Sequence, residues 1–387
     1  MASLPVILTG EAAADVADLE RAIASFDVRA KQQHDLESLA RFLLRAEAVA
    51  SSKIEGLQVN TRRLARYQAG QRPGDMTAAA VMGNVDAMTL AVSTVASADR
   101  ITRDHLLEIH AALMRHSDAP AIGGQVRTTQ NWIGGNDFNP CFAAFVPPPP
   151  ERVEILVADL CEFMNRDDLP AVVQAALVHA QFETIHPFAD GNGRTGRALI
   201  HVILRRRGLA TAFVPPVSLV LATRASDYVA GLTSYRYDGA PDSPAAAEGI
   251  QAWLDVFVSS MDRATDDAVA LCDRMIELEQ RWRAELRPRR GSTADRVLPH
   301  LIAQPVLGAG DIEGLLGVSK QAASVALDQL VKAGILRQFG QGQRRRVFEA
   351  AEVFKVLTDY ERGLATPTHS RNTREERPRR HVPYRVD

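Results

Sequence analysis

Over residues 35–54 the apolar positions Leu36, Leu39, Ala40, Leu43, Ala46 and Ala50 recur at helical spacing, and Gly56 stands where such a helix would stop. Similar patterns predict helices over 76–98, 103–115, 151–166, 170–185, 194–207 and 244–285. One segment breaks the run. Residues 127–150 hold a short polar and aromatic stretch, then GGNDFNP, then FAAFV, then Pro147, Pro148, Pro149 and Pro150. That pattern reads as a small β-hairpin followed by a stiff lead into the next helix. Residues 281–290, with five Arg and one Glu, read as a helix end and a linker. Beyond them a new unit is expected: helices over 294–303, 310–316 and 320–333, a turn at Gly317, and a short hairpin turning at Gly340 and Gly342. From about residue 363 the chain is polar and reads as a disordered tail.

A chain of 387 residues implies two or three domains, and a hydrophobic share of 46% is enough for a sizeable core. Lys plus Arg is 45 and Asp plus Glu is 47, which excludes a wholly basic nucleic-acid binder. Cys141, Cys161 and Cys272 are too few and too scattered for a disulfide framework or a cysteine zinc site. No run of about 20 apolar residues stands out as a membrane span, and the N-terminus lacks the basic start of a secretory signal. The expectation is a soluble protein of a reducing compartment, the cytoplasm, with no membrane partner.

The chemistry concentrates in residues 186–197, HPFADGNGRTGR. Gly191, Gly193 and Gly196 fit G-x-G-x-x-G, but the preceding run is helical and Ala-rich, so the strand that a dinucleotide fold needs is missing. No P-loop pattern occurs. What remains is an anion site at a helix start near Asn192, where free backbone N–H groups and glycines admit a close ligand. Arg194 and Arg197, three apart, share a helix face and can converge on one polyphosphate. Asp190 is a lone carboxylate beside it, which suits Mg²⁺, a cation that keeps most of its waters. His186, just past the preceding helix, suits a general base near neutral pH. Phe188 is expected to anchor the loop in the core.

This segment resembles the signature of the Fic family, H-x-F-x-[DE]-G-N-G-R-x-x-R, and matches at every defined position. The likeness extends over roughly residues 35–265. It implies a mainly α fold with a small β-hairpin flap, and transfer of AMP from ATP to a Ser, Thr or Tyr hydroxyl of a target protein. Carried over by position, His186 would deprotonate the hydroxyl and Asp190 would hold Mg²⁺. Gly191, Asn192 and Gly193 would form the anion hole, with Thr195 and Gly196 in the same turn. Arg194 would support the phosphates and Arg197 would hold the γ-phosphate. Gly193, where the phosphorylating Doc branch has Lys, favours nucleotide transfer. Residues 127–135 resemble the family's flap, which would bring Asn131, Trp132, Ile133 and Gly134 near nucleotide or target; packing alone would also account for Trp132. Tyr228 and Tyr235 fall where the family often places nucleotide-contacting tyrosines, although their seven-residue spacing is equally that of a core stripe.

Residues 51–56, SSKIEG, match the family's inhibitory motif, [ST]-x-x-x-E-[GN]. Ser51 and Glu55 lie one turn apart, and a carboxylate at a helix C-terminus calls for a cationic partner. The resemblance implies that Glu55 pairs with Arg197 and blocks the γ-phosphate site, or, as in some members, orients a water that removes AMP. Residues 292–362 resemble a winged helix-turn-helix, with Lys320, Gln321 and Ser324 on the recognition helix and Arg344, Arg345 and Arg346 on the wing. Nine basic and eight acidic residues make this unit weakly basic, so it could bind DNA or dock a protein, and a homodimer is a further expectation. The expected division is 1–100, an N-terminal helical region with the inhibitory helix; 101–265, the catalytic core; 266–291, a linker helix; 292–362, the winged unit; and 363–387, the tail. Two alternatives stay open: another nucleotidyl transfer or de-AMPylation, and a DNA-binding regulator with a nucleotide-sensing core.

Overall fold

The computed structural model describes residues 6–32, 36–136, 138–339 and 346–365. The first helices are α1 (Gly10–Gln32), α2 (Leu36–Ile54), α3 (Thr61–Gln68), α4 (Met76–Ser93) and α5 (Arg103–Met114). After the flap come α6 (Pro150–Met164), α7 (Ala171–Ile185), α8 (Asn192–Arg206), α9 (Val217–Thr223) and α10 (Ala225–Tyr235). α11 (Pro244–Leu286) is a single unbroken helix that runs through position 265, where the sequence suggested a boundary. The C-terminal unit contains α12 (Thr293–Val297), α13 (His300–Ala303), β1 (Val306–Gly308), α14 (Ala309–Leu316), α15 (Lys320–Lys332), β2 (Arg337–Phe339), β3 (Val347–Glu349) and α16 (Ala351–Ala365).

α7 is the central helix. Its sequence, AVVQAALVHAQFETI, is apolar nearly all round, and such a helix must be enclosed on every side. α8, α6 and α11 surround it, and Trp253 of α11 donates from Nε1 to the Ala176 carbonyl at 2.8 Å. Polar ties place α2. Buried Glu47 accepts from the backbone N–H and hydroxyl of Ser218 at 2.8 and 2.5 Å and pairs with His201 Nε2 at 3.1 Å. Asn84 of α4 donates to the Ala48 carbonyl and the Ser52 hydroxyl. Each of these groups is buried, so losing one partner would strand the other at about 1–3 kcal/mol.

The C-terminal unit packs against this body. Its antiparallel sheet has the order β1-β3-β2. Glu349 of β3 is fully buried and is held by Arg66 and Arg62 of α3 and by Arg337 of β2, with the Arg66 contact at 2.7 Å and the Arg337 contact at 2.5 Å. Arg45 of α2 donates to the Ala303 carbonyl at 2.8 Å.

Several expectations change. The helix expected over 294–303 is two short helices, because Pro299 has no N–H to continue the ladder. The hairpin expected over 127–150 reduces to one bridge, Ile133 to Phe145. Gly134 and Gly135 turn the chain at positive φ, and Pro147 has no N–H to extend the ladder. The segment read as tail is helical up to Ala365; residues 366–387, Gly340, Gly342, Arg344 and Arg345 lie outside the described residues. Helices α1, α3, α9, α10 and α16, and strand β1, have no counterpart among the helices and strands read from the sequence. One segment, Met76–Ser97, does have the length and hydropathy of a membrane-crossing helix, but 61% of it is buried inside the protein as a core helix.

Candidate active site

The site is built at the junction of α7 and α8. α7 stops at Ile185 because His186 takes a left-handed conformation (φ 49°) and Pro187 follows. The His186 N–H still donates to the Phe182 carbonyl at 2.8 Å. The loop then closes on itself. Asn192 accepts the Phe188 N–H and donates to the Phe188 carbonyl, both at 2.8 Å. Phe188 is buried and stacks on His110, with ring centroids 3.8 Å apart and planes 3° from parallel. His110 accepts the Gly124 N–H at Nδ1, so Nε2 carries the proton and donates to the Asp190 carbonyl at 3.0 Å. Burial pushes the His110 imidazole down to about 4 and keeps that tautomer neutral.

Arg127 fastens the flap to the same loop. Its guanidinium donates to the carbonyls of His186 (2.8 Å), Thr129 (3.2 Å) and Pro148 (2.5 Å), and its backbone N–H donates to Pro187 O at 2.9 Å. Asn131 donates to Phe188 O at 3.0 Å. The loop geometry is thus fixed by the protein's own hydrogen bonds.

A cavity of about 240 Å³ opens over the first turn of α8. His186, Asp190, Gly191, Asn192, Gly193 and Arg197 all face it. Gly191 is left-handed (φ 78°), and a side chain there would strike Leu113 and His110. Burial drives the His186 imidazole down to about 4, with Arg236 and Arg127 adding to the effect, so the ring is a neutral acceptor at physiological pH. Its Nδ1 lies 3.3 Å from the Glu183 carbonyl. With the Nδ1 proton on that carbonyl, Nε2 is the free base. Asp190 keeps its side chain 64% exposed; one oxygen accepts the Gly191 N–H and the other is 3.4 Å from Arg194. An exposed lone carboxylate beside an anion cradle fits a hard cation that takes its other ligands from phosphate and water. Among the described residues no three His, Cys, Asp or Glu side chains converge, so an all-protein cage is not formed.

Arg197 is the buried cation of the site. It donates to the Ser51 hydroxyl and carbonyl, each at 2.9 Å, and to Glu55 Oε1 at 2.7 Å. Burial works to raise the Glu55 carboxyl, but the Arg197 charge outweighs it and leaves the group below its usual range. Glu55 lies directly over Gly193: a β-carbon there would collide with Oε1. The carboxylate therefore occupies the space above the helix N-terminus where an anion would otherwise sit.

The structure gathers His186, Asp190, Gly191, Asn192, Gly193, Arg197, Ile133, Ser51, Glu55 and Tyr228 in or beside one cavity. Tyr228 is buried, bonded to His179 at 2.8 Å and 3.5 Å from Arg197. The remaining expected residues stand apart. Tyr235 is a correction: it packs in the core with its hydroxyl on Gln181, because the α10 stripe faces α7 and α11. Trp132 donates to the Asn136 carbonyl within the flap. Arg194 is buried and turned to Asp190, while Thr195 and Gly196 face the core, with Gly196 against Glu183. The sequence reading missed Glu183 and Arg236, which line the cavity. Their one signal was a carboxylate three residues before the histidine.

Two family models match: the Fic/DOC family over residues 100–204 and the Fic/DOC family N-terminal region over 13–93. Protein adenylyltransferase fic-1 of Caenorhabditis elegans is 29% identical over 185 residues, 47% of this chain and 34% of the relative. Protein adenylyltransferase Fic of Culex quinquefasciatus is 38% identical over 122 residues, 31% of this chain and 21% of the relative. The chain thus spans about a third or less of the length of these relatives. A solved Fic family protein from Desulfovibrio desulfuricans superposes with a TM-score of 0.57 at 22% identity, covering 90% of this chain and 98% of that one. A Fic domain containing signaling protein from Bacteroides thetaiotaomicron gives 0.51 at 19% identity over 66% and 96%. These two likenesses carry the helical fold. With the signature in its cradle, residues 13–93 and 100–204 of this chain match the Fic/DOC family.

Proposed function

We propose that this protein is a self-inhibited protein adenylyltransferase that moves AMP from ATP to a hydroxyl side chain of a target protein. The observation that carries this reading is one cavity holding a neutral histidine, a lone exposed carboxylate and a helix N-terminus, closed by Glu55 on Arg197. Relatives named protein adenylyltransferase support it.

In this reading the triphosphate lies along the first turn of α8, where Gly191, Asn192 and Gly193 line the cavity. Arg197 takes the γ-phosphate once Glu55 yields. Asp190 would hold Mg²⁺, which supplies charge neutralisation to the phosphates when bound. His186 Nε2 accepts the hydroxyl proton as the target oxygen bonds to the α-phosphorus. The bond from that phosphorus to the β-phosphate bridging oxygen breaks, and pyrophosphate leaves with the electron pair. Such a transfer needs positioning and charge stabilisation more than covalent help. The flap around Ile133, held by Arg127, is where an extended target segment would lie.

The test is label transfer from α-³²P-ATP with Mg²⁺ in wild type, Glu55→Gly, and Glu55→Gly with His186→Ala. Labelling by Glu55→Gly alone is expected. If no variant is labelled while ATP binding persists, AMP transfer is wrong, and removal of AMP or transfer of another nucleotide takes its place.

A further inference from the structure

Glu183 is a buried carboxylic acid that the transfer reaction just described does not use. It lines the cavity with a side chain only 7% exposed. Oε2 lies 3.8 Å from His186 Nδ1, and Oε1 has no hydrogen-bond partner among the described residues. Oε1 rests against Gly196, where an added β-carbon would sit 2.6 Å away. The absence of a side chain at 196 is what makes room for the carboxyl group. The Glu183 backbone carbonyl meanwhile faces the same Nδ1 at 3.3 Å and accepts from Arg236 at 3.3 Å. One residue thus presents both of its oxygen-bearing groups to the far side of the ring expected to act as base.

We infer that Glu183 is the positioning residue of the histidine base: its carbonyl fixes the Nδ1–H tautomer, and its carboxylate, when ionised, stabilises the imidazolium that forms as His186 takes the hydroxyl proton. The inference rests on the transfer reaction proposed above. The target O–H bond breaks, Nε2–H forms, and the positive charge on the ring faces the negative charge of Oε2. Solvent later removes the Nε2 proton.

The surroundings decide when the carboxylate is charged. Burial pushes the Glu183 carboxyl up to about 7; Arg197 of α8 and Arg236 after α10 pull it down, while Glu55 at the end of α2 pushes it further up. On α7 itself, His179 is buried and neutral, held down to about 3 by burial, so it adds no charge. Tyr228 of α10 stays protonated, because burial raises its phenol above the usual value. Arg127 faces His186 from the flap. The pair therefore switches near neutral pH: with Glu183 protonated, His186 is a weak base; with Glu183 ionised, it is a stronger one. Removal of the Glu55 carboxylate, as in Glu55→Gly, favours the ionised form.

Two readouts test this. The first needs no activity: ¹⁵N signals of the His186 ring, assigned by their loss in His186→Gln, are followed with pH in the full chain. The wild type should show a step near pH 7 from Glu183, absent in Glu183→Gln and partly restored in Glu183→Asp. Matching titrations in wild type and Glu183→Gln would overturn the inference. The second is label transfer in the Glu55→Gly background. There Glu183→Gln should lower kcat by about tenfold to a hundredfold, leave KM for ATP in place and flatten the rise of kcat through neutral pH. An unchanged kcat and profile would also refute the coupling. If Glu55→Gly itself transfers no label, the function reading fails, and the ring titration still decides the coupling.

Discussion

Removal of the Glu55 carboxylate should tighten ATP binding by a calculable amount. In the reading proposed above, a terminal phosphate reaches Arg197 by replacing the 2.7 Å contact from Glu55. A charge-assisted hydrogen bond between buried partners contributes about 1.5–3 kcal/mol. Arg197 is 1% exposed and the Glu55 side chain is 36% exposed, so solvent screens part of the pair and the lower half of that range applies. About 2 kcal/mol corresponds to roughly thirtyfold in Kd. Arg197 keeps its two bonds to Ser51 in the variant, so the folded state should lose about the same 2 kcal/mol as that one contact contributes. Isothermal titration of Mg-ATP into wild type and Glu55→Gly measures the first quantity. Melting with and without ATP measures the second: the variant should melt lower when empty and gain more from saturating nucleotide. An equal Kd in the two proteins would refute the competition argument, however active the variant proved to be.

Gly193→Ala should collide with Glu55 and destabilise the wild type, and cost less in the Glu55→Gly background, where only Arg197 Nη1 at 3.0 Å still crowds the added carbon; a double-mutant cycle in thermal melting would expose the coupling. His110 and His186 hold folded pKa values of about 4, below the ordinary 6.5, so the unfolded chain takes up protons first as pH falls. Stability should therefore drop between about pH 6.5 and 4, by an upper limit of about 3 kcal/mol for His110, and His110→Phe should reduce that slope while keeping the stack on Phe188. Glu183 acts in the opposite sense, since its folded pKa of about 7 is raised: the stability it contributes is lost as pH rises from about 4.5 through 7. Arg66→Ala leaves Glu349 paired with Arg337 but loosens α3, and should speed amide exchange over residues 51–60 with little change in 171–206.

The His186 loop was readable because its chemistry is local. Within residues 186–197, spacing alone joins a helix stop, an anion-binding turn and two arginines on one face. Ser51 and Glu55 became readable only beside the signature, and their pairing with Arg197 came from the family resemblance, since 142 residues separate Glu55 from Arg197. What the pattern could not disclose depends on burial. Glu183 looks like an ordinary polar position in an Ala-rich helix until α8 is packed against it. Arg127 looks like a surface cation, yet it is buried and satisfied by carbonyls from the His186 loop and from the flap. Tyr228 and Tyr235 share a stripe, and only the packing of α10 sends one to Arg197 and the other to Gln181. Pro299 carried its message in plain view, but the apolar run around it reads as one helix when the missing N–H is overlooked.

Glu55 sits on a segment fastened at both ends to the C-terminal unit, by Arg45 on Ala303 before it and by Arg62 and Arg66 on Glu349 after it. A carboxylate carried on so short a tether acts as a ligand of high effective concentration, and free nucleotide competes with geometry as much as with charge. Its local concentration is set by the sheet that anchors α3, well away from the catalytic loop. If Glu55 is the inhibitor proposed above, whatever strains β3 against α3 frees one end of its segment and lowers its local concentration, without touching a single residue of the signature.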